Sequence, residues 1–190
     1  MRDKYEMQLR KLHAEMIEMG TMIEQAIETA IKALVAQDTE LAKKAIEADD
    51  AIDHQEREIE NLGLKLFLTQ QPVAGDMRNI SAALKMITDM ERIGDHASDI
   101  SELTLRMAGT PYIKKLEHIQ QMAKETMIML VKSIEAFVNK DIEEADSVIE
   151  RDDVVDDLFS KVKTELVQMI HENVDVGEQA TDLLMVAKSK

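Results

Sequence analysis

Three acidic residues spaced four apart indicate a cation site near the middle of the chain. Glu91, Asp95 and Asp99 lie in the stretch LKMITDMERIGDHASDISEL, residues 84–103, whose apolar residues recur at helical spacing. Side chains four residues apart share one face of an α-helix, where like charges repel by roughly 0.2–0.5 kcal/mol per pair. The acidic residues take over the core-facing register here. A multivalent cation bound by carboxylate oxygens would offset their repulsion.

Gly94 interrupts this acidic face in a position that is costly for a helix. Glycine inside a helix costs about 0.5–1 kcal/mol relative to alanine. We therefore expect the backbone of a neighbouring element to approach the helix closely at Gly94.

A second acidic group, Asp49, Asp50 and Asp53, precedes this stretch in the sequence. The turn QQPVAG at residues 70–75 predicts that the helices on either side of it are antiparallel. Residues equidistant from a turn lie level in such a hairpin. Counted from residue 72, the two sides match at 19 and at 23 residues, which predicts that four carboxylates converge: Asp53 with Glu91, and Asp49 with Asp95.

The second half of the chain repeats the first at an offset of 103 residues. Residues 31–53 and 134–156 are identical at eleven of 23 positions without a gap, and the identities include Asp152, Asp153 and Asp156. A duplicated three-helix unit explains this match, with bundles at 1–108 and 109–190. Alignment of LLMVAKSK with AALKMITD at an offset of 101 places the counterpart of Glu91 at position 192, beyond the last residue. We therefore expect the last helix to be truncated, or its second carboxylate motif to be lost.

The fold class predicted from these patterns is all-α. Apolar residues alternate steps of three and four along the chain, and alanine, methionine, glutamate and lysine favour helix. Asp38 and Asp141 have the sequence context of N-caps, and Thr110-Pro111 that of a helix start. The chain thus predicts two pseudo-symmetric antiparallel three-helix bundles with helices at 3–36, 39–70, 75–107, 111–140, 142–173 and from 178 onward.

The composition and the absence of certain motifs disfavour several classes of partner and function. The net charge of −15 disfavours nucleic acids and anionic lipid surfaces as partners. The sequence has no cysteine, no secretory signal and no apolar run of about 20 residues. We therefore expect no direct membrane insertion, and these features are compatible with a cytosolic location. No phosphate-binding loop, nucleophile–base signature or HExxH motif occurs, and no glutamate has a histidine three residues later. The chain is therefore predicted not to be an enzyme.

The residues alone leave alternatives open for the acidic groups and for function. Each cluster taken alone resembles a solvated acidic face, and Glu91 fits a metal site and a basic partner on another helix equally well. Oxygen ligands suit magnesium, calcium, manganese or ferric iron better than a structural zinc ion. A carboxylate-bridged metal enzyme or metal-storage helical bundle and a coiled-coil protein that binds no metal are both compatible with these residues. Dimerisation stays open.

The motifs ADDAID, QQPVAGDMR and ERIGDHA, together with the duplication, resemble the PhoU family of bacterial phosphate-signalling regulators. The resemblance implies a cytoplasmic negative regulator that works with a phosphate ABC transporter ATPase and a sensor histidine kinase. It also implies metal ions at E/D-x-x-x-D motifs, which here match Asp49–Asp53, Glu91–Asp95 and Asp152–Asp156. Asp50, Asp99, Asp152, Asp153 and Asp156 are secondary candidates. The family often has asparagine at the position of Asp99, and the second ERIGD motif, which would accompany Asp152 and Asp156, is absent. The resemblance leaves iron, manganese, magnesium or zinc as the cofactor.

Overall fold

The computed structural model describes residues 2–69 and 73–189, and within these ranges the chain is helical with no strand. The predicted all-α fold is therefore confirmed. Seven α-helices follow one another, with a single 3₁₀ turn, Val174–Val176, between the last two. Their bounds are α1 Arg2–Ala36, α2 Thr39–Glu47, α3 Asp49–Thr69, α4 Ala74–Met107, α5 Glu117–Asn139, α6 Ile142–Glu172 and α7 Gly177–Lys188.

The core is aliphatic and forms along the predicted seams. On α1, the residues that alternate steps of three and four are buried, except for Leu9, which is partly buried against the core. This helix packs against α2, α3 and α4, while α5, α6 and α7 pack against one another. Contacts of α1 with α5 and of α4 with α7 join these two sets of helices.

The predicted single helix over 39–70 is wrong, because it breaks at Ala48 into α2 and α3. The break places Asp49 and Asp50 in the first turn of α3. Carboxylates there interact favourably with the partial positive charge of a helix N-terminus, by about 0.3–1 kcal/mol at exposed sites. Residues 70–72, on which the predicted turn centre falls, lie outside the described residues.

The predicted helix start at Thr110-Pro111 is also wrong, since α5 begins at Glu117. Tertiary hydrogen bonds hold the intervening segment in an irregular path. The Tyr112 hydroxyl donates to the Leu34 carbonyl of α1, and the Ile113 amide donates to Gln179 Oε1 of α7 at 2.7 Å. Contacts with distant helices thus outweigh the local preference for a helix start.

Equivalent turns in the two halves show the same backbone. Gln37 and Lys140, 103 residues apart, both adopt left-handed conformations with φ of 51° and 57°. The following aspartates cap the next helix as predicted, with Asp38 accepting from the Glu40 and Leu41 amides and Asp141 from the Glu144 amide. The structure therefore repeats locally at the offset read from the sequence.

Helices α3 and α4 pack closely at Gly94. A Cβ atom at this position would lie 3.1 Å from Ile52 Cγ2 and 3.2 Å from its Cδ1. The neighbour is thus an apolar side chain, whereas the sequence led us to expect backbone. Because glycine leaves this space to Ile52, α3 and α4 can approach each other across their acidic faces.

Replacement of Gly94 by leucine should destabilise the protein by about 1–3 kcal/mol, because the added side chain overlaps Ile52. Chemical denaturation measures the change. The matched control is Gly75→Leu, since a Cβ on Gly75 meets no described atom within 4 Å. The Gly94→Leu change should cost less in an Ile52→Ala background. An equal cost in both backgrounds would contradict the proposed contact.

Candidate metal centre

Three of the four predicted carboxylates meet between α3 and α4. Asp49 and Asp53 extend from α3 and Asp95 from α4, with one carboxylate oxygen of each within 4.8 Å of the others. All three residues are partly buried. Counting residues from the turn had predicted this convergence, and the structure brings the two helices together with that register.

Hydrogen bonding within the described part of the chain leaves this cluster incompletely satisfied. Oδ1 of Asp49 and Oδ1 of Asp53 are buried without a hydrogen-bond partner. The Arg57 guanidinium lies 3.4 Å from Asp53 Oδ2, but both side chains reach solvent and the pair is one turn apart on α3. Buried carboxylate oxygens with no donor are costly, and they are the groups that an incoming cation would bind.

The carboxylates of the cluster repel one another, and this repulsion adds to the effect of burial on their pKa values. Burial, with the charges of Asp95 and Asp53 next in importance, raises the pKa of Asp49 from 3.8 to about 6. Burial and the charge of Asp53 also raise the pKa of Asp95. Both effects favour the protonated acid, so the cluster holds negative charge less readily than separate carboxylates do.

Glu91 lies at the edge of the cluster. It does not join the three oxygens within 4.8 Å of one another. Burial raises its pKa, and the charges of Asp95 and Glu56 raise it further. Glu56 is a residue that the sequence analysis missed. The hairpin count could have found it, because it lies level with Thr88, whose hydroxyl is 3.4 Å from Glu56 Oε1.

Two secondary candidates next to the cluster are exposed. The side chain of Asp50 is exposed, and its charge raises the pKa of Asp49. The side chain of Asp99 is 60% exposed and lies 3.5 Å from His96 Nδ1. The buried face of α4 runs through Met90, Gly94 and Ala97, and Glu91 and Asp95 lie beside it. The expectation that carboxylates occupy the core-facing register is therefore wrong.

The repeated acidic group on α6 has different surroundings. Asp152, Asp153 and Asp156 are all exposed. Within residues 2–69 and 73–189, only the cluster of Asp49, Asp53 and Asp95 brings three ligand atoms close enough to hold an ion. The second E/D-x-x-x-D motif thus lies on a helix surface, and the described chain brings no third carboxylate to it.

The fold and the site together define a class of protein. It is a helical bundle with a duplicated unit, in which an oxygen-rich cluster lies between two antiparallel helices. The described groups that act on the cluster are carboxylates, the exposed Arg57 guanidinium and the partly buried His96 imidazole, and the excess of carboxylates suits cation binding.

Comparison with a family model assigns this architecture. The model of the PhoU domain matches the chain twice, over residues 16–104 and 119–189. The unmatched interval coincides with the end of α4 and the irregular segment before α5. The chain belongs to the PhoU family, as the resemblance of its motifs had indicated.

Curated relatives and solved structures agree with this assignment. A phosphate-specific transport system accessory protein PhoU homolog from Clostridium acetobutylicum is 37% identical over 185 residues, which cover 97% of this chain and 84% of the relative. The Escherichia coli protein PhoU is 28% identical, over 98% of this chain and 77% of its own. The crystal structure of PhoU from Pseudomonas aeruginosa matches with a TM-score of 0.92 at 25% identity, covering 97% and 89% of the two chains.

A second solved structure supports the fold alone. The phosphate transport system regulatory protein PhoU from Streptococcus pneumoniae has a TM-score of 0.88 at 22% identity, over 97% of this chain and 87% of that one. None of the helices in the described ranges combines the length and apolarity that a bilayer span requires.

Without bound cations, the free energy of unfolding should fall as pH rises from about 4 to about 6. The folded protein keeps a proton on Asp49 that the unfolded chain has already lost, so the folded state loses relative stability through this interval. Asp49→Asn should flatten this fall and make the chelated protein more stable at neutral pH. Urea denaturation in chelator across the pH range measures both effects.

The matched control for this titration is Asp152→Asn. Asp152 is the exposed counterpart of Asp49 in the second half, and its replacement should leave the pH profile nearly unchanged. An identical profile for Asp49→Asn and the unaltered protein would contradict the electrostatic description of the cluster.

Proposed function

We propose that this chain is a cytoplasmic regulatory adaptor of phosphate uptake and phosphate-starvation signalling. It acts as a negative regulator by binding the ATPase subunit of a phosphate ABC transporter and a sensor histidine kinase. The observation that carries this proposal is the 37% identity, over nearly the full chain, to a relative named as an accessory protein of a phosphate-specific transport system. The work of such a protein is binding rather than catalysis.

The architecture supports an adaptor. Helices of 31 to 35 residues, such as α1, α4 and α6, present long side faces, each about 46–53 Å in length at 1.5 Å per residue. The proposed division into units 1–108 and 109–190 would let two related surfaces contact two partners. The strongly acidic composition favours basic surfaces on those partners through electrostatic complementarity.

A multivalent cation at the Asp49, Asp53 and Asp95 cluster is the second part of the proposal. The unpartnered buried oxygens of Asp49 and Asp53 fit this interpretation, because coordination would satisfy them and cancel the repulsion. Glu91 would complete the set from the edge of the site. The ion would cross-link α3 and α4 and so stabilise the hairpin that carries it.

The donor set discriminates among ions. Carboxylate oxygens without thiolate or imidazole suit magnesium, calcium, manganese or ferric iron, whereas structural zinc sites use cysteine and histidine. Among the cofactors that the resemblance implies, this chemistry ranks iron, manganese and magnesium above zinc.

Affinity capture from cells grown at high phosphate should recover the phosphate transporter ATPase with the tagged chain. A tagged helical protein of similar net charge, but without the repeated motif, controls for capture driven by acidity. The ATPase should be enriched with the tagged chain and absent from the control. Failure to recover any transporter or kinase component, at high or low phosphate, would refute the adaptor function.

Asp95→Asn should weaken cation binding and lower the thermal stability of the metal-loaded protein. At a free cation concentration of 100 times Kd, binding stabilises a protein by about 2.7 kcal/mol, and the variant should lose part of this. Thermal melts with and without chelator, combined with metal analysis, measure the effect. In chelator the same change should stabilise the fold, because it removes repulsion.

Asp99→Asn is the matched control, since Asp99 lies one turn further along α4 and is exposed. It should leave metal content unchanged. A melting temperature for Asp95→Asn above that of the unaltered protein in both conditions would show that the cluster is an acidic surface rather than a metal centre.

A further inference from the structure

Exposed apolar side chains flank the turn between α3 and α4. Leu68, near the C-terminal end of α3, is 83% exposed, and Val73, directly before α4, is 66% exposed. Leu64 and Met77, each four residues further from the turn, are exposed as well. Single exposed apolar residues are common on protein surfaces, whereas a group of them indicates an interaction surface. These four residues form the turn cluster.

The N-terminal part of α1 lies at the same end of the bundle. Burial and the charge of Asp76, in the first turn of α4, raise the pKa of Tyr5 to about 12, which places these two residues close together. Lys11 of α1 and Lys65 of α3 border one polar cavity. Met7, between these two contacts along α1, is also exposed. The turn cluster is therefore next to the first turns of α1.

The charge of this end is opposite in sign to that of the whole chain. Residues 2–11 and 64–78 contain six basic and three acidic residues, a net charge of +3, whereas the chain as a whole carries −15. One of the three acidic groups is used within the fold, since Asp76 Oδ2 accepts a hydrogen bond from the Val73 amide at 3.3 Å. This end thus combines positive charge with exposed apolar side chains.

The acidic cluster between α3 and α4 lies too far away to cancel this positive charge. Asp53 precedes Leu68 by 15 residues on α3, which is about 22 Å along the helix axis. Even Glu60, the nearest acidic residue on α3, is eight residues or about 12 Å away. Exposed charges are largely screened beyond about 8 Å at physiological ionic strength. The net charge that disfavours anionic lipids for the whole chain therefore does not describe this end.

The equivalent turn of the second unit has exposed apolar side chains in acidic surroundings. At an offset of 103 residues, the stretch 64–78 corresponds to 167–181, which contains three acidic residues and no lysine or arginine. Val174 in this stretch is 80% exposed. The Ile113 amide donates to Gln179, and the residue before Ile113 binds the C-terminal end of α1. This second turn therefore lies at the opposite end of α1 and differs from the first in the sign of its charge.

We propose that the end of the molecule formed by the α3–α4 turn binds the surface of an anionic lipid bilayer. Leu68 and Val73 would enter the boundary between headgroups and acyl chains, while the surrounding lysines and arginines would contact anionic headgroups. The two residues on each side of the turn are one helical turn apart, about 6 Å along the axis. This span matches the depth of about 5–10 Å to which interfacial apolar residues are buried.

Sedimentation of the 190-residue chain with lipid vesicles tests this proposal. Vesicles of phosphatidylglycerol and phosphatidylcholine in equal parts should bind the protein, and vesicles of phosphatidylcholine alone should not. Added salt should weaken binding, because ions screen the attraction between basic residues and headgroups. Absence of binding to the anionic vesicles at low salt, as expected for a surface that docks an acidic protein instead, would overturn the proposal. So would equal binding to both kinds of vesicle.

Matched variants at the two equivalent turns locate the lipid contact. Leu68→Glu should weaken binding to anionic vesicles about tenfold or more, and Arg78→Gln about fivefold. Val174→Glu adds the same charge at a similarly exposed apolar residue and should leave binding unchanged. Circular dichroism verifies that each variant is folded. Equal losses for Leu68→Glu and Val174→Glu would contradict the assigned surface.

Tryptophan fluorescence gives an independent measurement, because the chain contains no tryptophan. The emission of Leu68→Trp should shift to shorter wavelength when anionic vesicles are added, since the indole leaves water. The emission of Val174→Trp should not shift, and a shift of equal size in both variants would overturn the proposal. The vesicles contain no transporter or kinase, so the outcome is separate from that of the adaptor function.

Discussion

The close packing of Ile52 against Gly94 lets α3 and α4 approach each other beside the carboxylate cluster, and the cluster depends on that approach. A larger residue at position 94 would push the helices apart at the level where Asp49 and Asp95 meet. The apolar contact and the acidic contact lie side by side on the same two helices. Packing thus holds together charges that would otherwise separate.

The cluster is unfavourable for the fold as long as no cation occupies it. Burial and mutual repulsion raise the pKa values of Asp49, Glu91 and Asp95, and two buried oxygens lack hydrogen-bond donors. The aliphatic seams of α1, α3 and α4 offset this cost through apolar burial. The position of Asp49 in the first turn of α3 reduces it further through the helix dipole.

The features of the fold that depend on regular residue spacing could be predicted from the sequence. The a/d seams gave the helices, and the count of residues around the 70–75 turn brought Asp49 and Asp53 level with Asp95 and Glu91. The break at Ala48 could not be predicted, because alanine is the best helix former and carries no stop signal. The Thr110-Pro111 signal failed because tertiary hydrogen bonds of Tyr112 and Ile113 outweigh a local start preference.

Helical geometry explains why the series of acidic residues did not form one site. Each step of four residues overshoots a full turn by about 40°, so Asp99 is rotated by about 80° from Glu91. That rotation carries Asp99 out to solvent, while Asp95 stays at the α3 interface. A spacing of four therefore predicts that two successive residues of the series share a helix face. It does not predict this for residues that are two steps apart.

The two copies of the Asp-rich motif show that an acidic motif becomes a site only through its neighbours. Asp49 and Asp152 occupy equivalent positions, yet Asp49 is partly buried beside Asp95 and Asp152 is exposed. The difference arises on the facing helix, since α4 supplies Asp95 to Asp49 and Asp53, whereas no described residue supplies a third ligand atom to the motif on α6. The same residues thus form a concentrated negative site in one unit and a solvated surface in the other. Local sequence determines which residues could bind a cation, and the helix that faces them determines whether they meet, as α4 does for Asp49 and Asp53.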